Sequence, residues 1–204
     1  MVLSDKIDFR GHFSITTIKS DGTSEIYEEK NLIMDVAREH MANLIAGVTC
    51  APINCLKLGN KGHVGDNVLE FKAVGSQGFD STRVKMFSES DSTAVVYTID
   101  FDPVEAIASL DPITGVITPY TPQATSIGGL TTSTSSVLVT ITGRSVTYTI
   151  EIPELGGNST STSPIVPYTE AALYVDDKIF SMKTFPARIK DSSVKIVVKW
   201  SIIF

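Results

Sequence analysis

The chain has 204 residues, 42% of them hydrophobic and 20% charged, with a formal net charge of −6 at neutral pH. That length and apolar content suit a folded chain with a sizeable core and argue against intrinsic disorder. The acidic balance argues against binding nucleic acid through a general basic field, and no apolar run reaches the roughly 20 residues of a membrane helix.

The opening stretch MVLSDKIDFRGHF places Asp5, Lys6, Asp8 and Arg10 where a signal peptide needs an apolar centre, so export by that route is not expected. Residues 13–18 and 24–28 flank Asp21-Gly22, a hairpin signal. A helix is predicted near 31–46, because Ile33, Val36, Ala37, His40, Met41 and Leu44 recur at three- and four-residue steps. Asp35, Arg38, Glu39 and Asn43 take its other side, with Asn31 as N-cap and Gly47 as the left-handed residue that ends it. In a strand-rich chain such a helix is expected to cover one face of a sheet.

Further strands are predicted at 53–58, 81–88, 93–101, 137–142, 145–152, 171–175 and 178–184. Val137, Val139 and Ile141 alternate before Gly143-Arg144, and Val146, Tyr148, Ile150 and Ile152 alternate after it, so this pair is well specified. Asp176-Asp177 is a second turn of the same kind. The stretches TTSTSS at 131–136 and NSTSTS at 158–163 read as surface loops. The last strand is the most informative: Val194, Ile196, Val198, Trp200, Ile202 and Phe204 occupy every second position. A strand with so apolar a face has to lie inside a sheet or against a partner. Trp200 is expected in one core with Phe185.

The fold class is therefore mainly β: an antiparallel β-sandwich-like domain with one amphipathic helix packed on a sheet. One domain is expected over 1–204, with an irregular lobe or long loop at 102–130, where prolines stand at 103, 112, 119 and 122.

Chemistry is harder to find. Cys50 and Cys55 lack the further ligands of a zinc site, which leaves reduced thiols ahead of a disulfide. Of the histidines His12, His40 and His63, His40 lies on the apolar helix face and reads as a hydrogen-bonded core residue. No serine or cysteine stands in a nucleophile-elbow context. The loop from Gly59 to Gly65 matches no phosphate-binding pattern and reads as a turn with positive φ angles. Asp100 and Asp102 read as a strand end, and Asp176-Asp177 as a turn, ahead of calcium or acid–base roles. Asn158-Ser159-Thr160 matches a glycosylation sequon, which carries little weight without a secretion signal. No catalytic, cofactor-binding or metal-binding residue is predicted, and the chain is not expected to be an enzyme.

The order of segments nevertheless has a likeness. Asn31-Leu32-Ile33 opens a helix after a hairpin, and a strand runs into Leu58-Gly59-Asn60-Lys61-Gly62 with Asp66-Asn67-Val68-Leu69 beyond. The chain then closes on Glu170-Ala171-Ala172-Leu173, Phe180-Ser181-Met182-Lys183-Thr184-Phe185-Pro186, Ile189-Lys190-Asp191 and 194–204. Over 11–72 and 168–204 this resembles a group of tailed-bacteriophage virion proteins assigned to tail, collar, neck or fibre attachment. It departs from them at Lys61 and His63, where threonine or proline is common.

The resemblance implies a virion structural subunit, assembled in the host cytoplasm as a homo-oligomeric ring or collar at the neck, tail or baseplate. Its partners would be itself and other virion proteins, with neither direct nucleic-acid contact nor membrane insertion. Loops 59–68, 102–130 and 153–167 are the expected contact surfaces. Three other readings compete. A receptor- or glycan-binding module of a tail fibre would use loop aromatics such as Tyr120 and Tyr168. A capsid decoration protein is a second. A glycan hydrolase would need two carboxylates about 5–10 Å apart.

Overall fold

Two antiparallel sheets face each other in this computed structural model, which describes residues 10–76, 78–108, 116–161 and 165–204. The first sheet is built from the hairpins that the sequence announces. Strand β1 (Arg10–Lys19) turns at Asp21-Gly22 into β2 (Ser24–Lys30), and β9 (Ser136–Thr142) turns at Gly143 into β10 (Ser145–Ile152). Between the two hairpins runs β13 (Val194–Ile203), giving the order β2, β1, β13, β10, β9. The apolar strand is thus hydrogen-bonded on both sides by its own chain.

The second sheet has six strands in the order β3, β12, β11, β4, β7, β8. These are β3 (Leu32–Ile33), β4 (Cys55–Gly59), β7 (Val96–Asp100), β8 (Thr125–Ile127), β11 (Val166–Val175) and β12 (Lys178–Lys190). Alternation sends Leu56, Leu58, Tyr97, Ile99, Ala171, Leu173 and Phe185 inward. They meet Phe13, Ile15, Val137, Val139, Ile150, Val198 and Trp200 from the five-stranded sheet in one continuous core. Trp200 is fully buried; its ring stands edge-on to Phe13 at 4.9 Å between centroids, and Phe13 stacks on Phe185 at 5.3 Å.

Helix α1 (Asp35–Ile45) packs beside β12, with His40 edge-on to Phe180 at 6.1 Å. Met34, not Asn31, occupies its N-cap, and it supplies no side-chain cap. The pairing of Leu32 and Ile33 with β12 keeps the backbone extended to that point, while Asn31 hydrogen-bonds Ser181. Gly47 does follow the helix with φ +77°. The helix buries less than its periodicity implies: Ala37 is its only buried residue, Leu44 and Ile45 are exposed, and His40 is half-buried.

The outer face of the six-stranded sheet is covered chiefly by the long β4–β7 connection. That connection contains a small hairpin, β5 (His63–Val64) with β6 (Asn67–Phe71), and one 3-10 turn at Ser88–Ser90. Phe79, Met86 and Phe87 press on Cys55, Ala172, Tyr174, Ile179 and Met182 to form a second apolar cluster. The strand expected at 81–88 does not form. Asp80 instead binds the backbone and hydroxyl of Thr82, and the backbone N–H groups of Phe87 and Ser88 turn to a side chain of β11. The 102–130 excursion is irregular as expected, with a single turn of helix, α2 (Pro103–Ala106), and β8; its residues 109–115 lie outside the described set.

Both edges of the five-stranded sheet are managed. Along β2, Glu25 pairs with Arg188 and Glu29 with Lys183, tying the edge to β12 across the mouth of the sandwich. On the other side the β9 carbonyls of Val137 and Val139 accept hydrogen bonds from Tyr120 and Ala108. Charge on one edge and a covering segment on the other both discourage edge-to-edge pairing.

Candidate functional site

Three of the chemistry-bearing groups meet at one end of the six-stranded sheet. His40 and Glu39 from α1, Cys50 from the segment after it, and Asp176 and Asp177 from the β11–β12 turn line a shallow cleft. Its geometry is not that of a nucleophile and base. The Cys50 thiol points at the backbone carbonyls of Val48 (3.5 Å) and His40 (3.9 Å), not at the imidazole. Asp176 takes φ +54°, the left-handed turn position, and its N–H donates to Asn54 Oδ1 at 3.1 Å. Cys55 sits apart from Cys50, inside the second apolar cluster, and burial pushes its thiol well up. Both cysteines are free, and among the described residues no three His, Cys, Asp or Glu side chains are grouped to hold a metal ion.

Asp100 and Asp102 lie with Asn54, Phe101, Pro103 and Tyr120 along a shallow trough. Asp102 is already occupied as the cap of α2, its Oδ1 accepting from Val104 N at 2.8 Å. Tyr168, expected at a loop tip, is instead a buried β11 residue whose hydroxyl donates to Gly157 O at 2.8 Å. Asn158 is also buried, and its amide nitrogen donates to Glu154 O at 2.7 Å, so the sequon side chain is committed to the fold. Ser135, in the other serine- and threonine-rich stretch, is buried as well. Tyr168 is thus a correction, whereas the two serine- and threonine-rich stretches stay largely at the surface, with Thr132, Thr134, Thr160 and Ser161 exposed and only Ser135 and Asn158 buried among their described residues.

The polar centre that sequence reading missed is Glu170. It is fully buried on the covered face, with Oε1 accepting from Ser88 N at 2.7 Å and from the Ser88 hydroxyl, and Oε2 from Phe87 N at 3.0 Å. Burial raises its pKa, while the hydrogen bonds from Ser88 and Phe87 and the Arg83 charge pull the other way. The glycine-rich loop serves this centre. A Cβ on Gly59 would lie 2.3 Å from Ser88 Oγ and 2.8 Å from Glu170 Oε1, and one on Gly62 would lie 2.4 Å from Thr169 O. Close approach explains these two glycines, and a positive φ explains only Gly65, at +53°.

Beside it, Lys57 meets Glu89 at 2.5 Å and lies 4.2 Å from the Tyr174 ring. The Arg83 guanidinium and Lys72 ammonium flank Phe87 at 3.6 and 4.4 Å. The whole arrangement seals the 60–95 connection onto the sheet and leaves Glu170 no access to a substrate. The expected contact loops shrink accordingly: Gly59, Gly62, Gly156 and Gly157 are buried.

The five-stranded sheet has a different outer surface. Its register rows read Lys30, His12, Ser201, Thr147, Thr140; then Glu28, Ser14, Lys199, Thr149, Leu138; then Ile26, Thr16, Val197, Glu151, Ser136. Serine, threonine and aliphatic residues fill most of it. Thr147 and Ser201 hydroxyls bond at 2.8 Å, and Lys195 pairs with Glu151 at 3.4 Å. No element of the described residues packs across this face. No known protein family, no curated protein and no solved structure matches the chain.

Proposed function

We propose that this protein acts by assembly, as a structural subunit of a tailed-bacteriophage virion that forms a homo-oligomeric ring or collar at the neck, tail or baseplate and contacts other virion proteins there. The observation that carries the reading is the outer face of the five-stranded sheet, which no element of the described residues covers. It is broad, and serine, threonine and aliphatic side chains outnumber the charged ones of both signs in its rows, while the opposite sheet has its outer face covered by the chain itself. Hydroxyls that already bond each other, as those of Thr147 and Ser201 do, lose less on burial than unpaired ones, and closed symmetry would bury the face in each copy. The segment order described from the sequence supplies the virion context.

Particles of a phage encoding this chain should contain it in many copies and show a layer of density that is missing when its gene is deleted. Intact, infective particles with no copies would sink the proposal. A second reading, a glycan- or receptor-binding module, draws on the Tyr120 trough with Asp100 and Asn54. It predicts that Tyr120→Ala abolishes host attachment and leaves particle assembly intact.

A further inference from the structure

Lys190, the last residue of β12, is fully buried, and its ammonium group contacts three oxygens: Glu154 O at 2.7 Å, Asn158 Oδ1 at 2.8 Å and Asp191 O at 3.0 Å. Asn158 lies 32 positions earlier, in the β10–β11 connection, and is itself held from several sides. Its backbone N–H donates to Thr131 Oγ1 at 3.0 Å, its carbonyl accepts from Thr131 N at 2.7 Å, and its Nδ2 donates to Glu154 O at 2.7 Å. An amine and a primary carboxamide are therefore fixed against each other, away from water.

A carbonyl carbon is about 1.2 Å from its oxygen, so Lys190 Nζ lies within about 4 Å of Asn158 Cγ. Groups held this close and unable to diffuse apart gain the large effective concentration of intramolecular reactions. One further contact bears on position: the backbone carbonyl oxygen of Glu154 accepts from both Lys190 Nζ and Asn158 Nδ2, which holds the attacking and leaving nitrogens beside the same atom.

We propose that Lys190 and Asn158 form an intramolecular isopeptide bond in the folded protein. The neutral amine of Lys190 attacks Asn158 Cγ, forming the N–C bond as the carbonyl π pair moves to Oδ1. Collapse of that tetrahedral centre re-forms the carbonyl and breaks the Cγ–Nδ2 bond. A proton lost from Nζ ends on Nδ2, which departs as ammonia. Amine plus carboxamide gives secondary amide plus ammonia, with no oxidant or added reagent.

Burial brings the amine down to about 8, so a useful fraction of it is unprotonated near neutral pH. The Asp191 and Glu154 carboxylates act against that shift without cancelling it. When neutral, Nζ keeps two N–H donors for the surrounding carbonyls and frees its lone pair for the attack. The product would tie the β10–β11 connection to the end of β12 and constrain the unfolded chain as a disulfide does.

Intact-mass spectrometry of the folded wild-type chain, after incubation at about pH 9 to neutralise the amine, tests this directly. The expected mass is that of the sequence less one ammonia. Proteolysis should then yield a branched peptide joining the segment with Asn158 to the segment with Lys190. The Lys190→Arg and Asn158→Ala chains should each keep their full sequence mass. A folded wild-type chain that retains the full mass throughout overturns the proposal, whatever the variants do.

Discussion

The outer face of the six-stranded sheet lies under residues 60–95, whereas that of the five-stranded sheet meets solvent with no described element across it. On the first, Phe79, Met86, Tyr174 and Met182 are buried around a sealed carboxylate; on the second, hydroxyl groups and a few lysines lie in open rows. Both sheets share one core, so the difference lies in their outer faces. A face rich in aromatic and methionine side chains demands a cover, and the chain spends a long connection on one. The other face can stand in water as an antiparallel sheet commonly does, and no described element covers it.

The largest expected effect is one that both faces feel equally. Trp200→Ala, between the sheets, should cost about 3–5 kcal/mol in urea unfolding, as for other core aromatics. Next comes a change confined to the covered side. Glu170→Ala leaves the Phe87 and Ser88 N–H groups without their acceptor. At about 1–3 kcal/mol for each of these two unsatisfied donors, it should lose roughly 2–6 kcal/mol. Hydrogen exchange should rise across 60–95 and stay unchanged in the five-stranded sheet. Equal exposure of both sheets would break the comparison.

Alkaline pH probes both sides through their tyrosines. Burial raises Tyr148, on the inner side of the five-stranded sheet, to about 12, and raises Tyr174, on the covered face, further. The unfolded phenols ionise near pH 10, so this stabilisation is complete below pH 10 and is lost as the pH rises toward the folded values. Each such tyrosine should remove about 1.4 kcal/mol per pH unit in that window, read from unfolding midpoints above pH 10. Tyr148→Phe and Tyr174→Phe should each flatten the slope. The smallest effect on stability belongs to the outer face of the five-stranded sheet. Thr147→Lys should change unfolding by less than about 0.5 kcal/mol yet exclude the subunit from particles. Normal incorporation would remove that face from the proposed interface.

Much of the five-stranded sheet was legible because its hairpins are local. Asp21-Gly22 and Gly143-Arg144 sit between alternating runs, and period-two patterning fixes which side chains turn inward. The covered face was not legible. Glu170 stands at the head of Glu-Ala-Ala-Leu like any polar residue opening a strand, and its burial depends on a connection with no periodicity of its own. The signal that existed was indirect. Three glycines stand within seven residues at Gly59, Gly62 and Gly65, and the reading of all of them as positive-φ turn residues hid the close approach that Gly59 and Gly62 serve. Lys190 was hidden in the same way, since its acceptors are backbone carbonyls and an amide from distant loops. Asn31 misled because β3 is only two residues long, too short to leave a pattern, yet long enough to delay the helix.

The position of β13 bears on the order of folding. The β1–β2 and β9–β10 hairpins can close early, each from its own turn, but nothing joins them until β13 slides between. Arg10 must find Ile203, and Ser145 must find the same residue from the other side. Closing so long a chain segment is slow relative to hairpin formation. During synthesis the facing edges of both hairpins stand unpaired until β13 leaves the ribosome, which is when mispairing between neighbouring chains competes most strongly. Dilution or a chaperone should matter at that step, and hardly at all once β13 is seated.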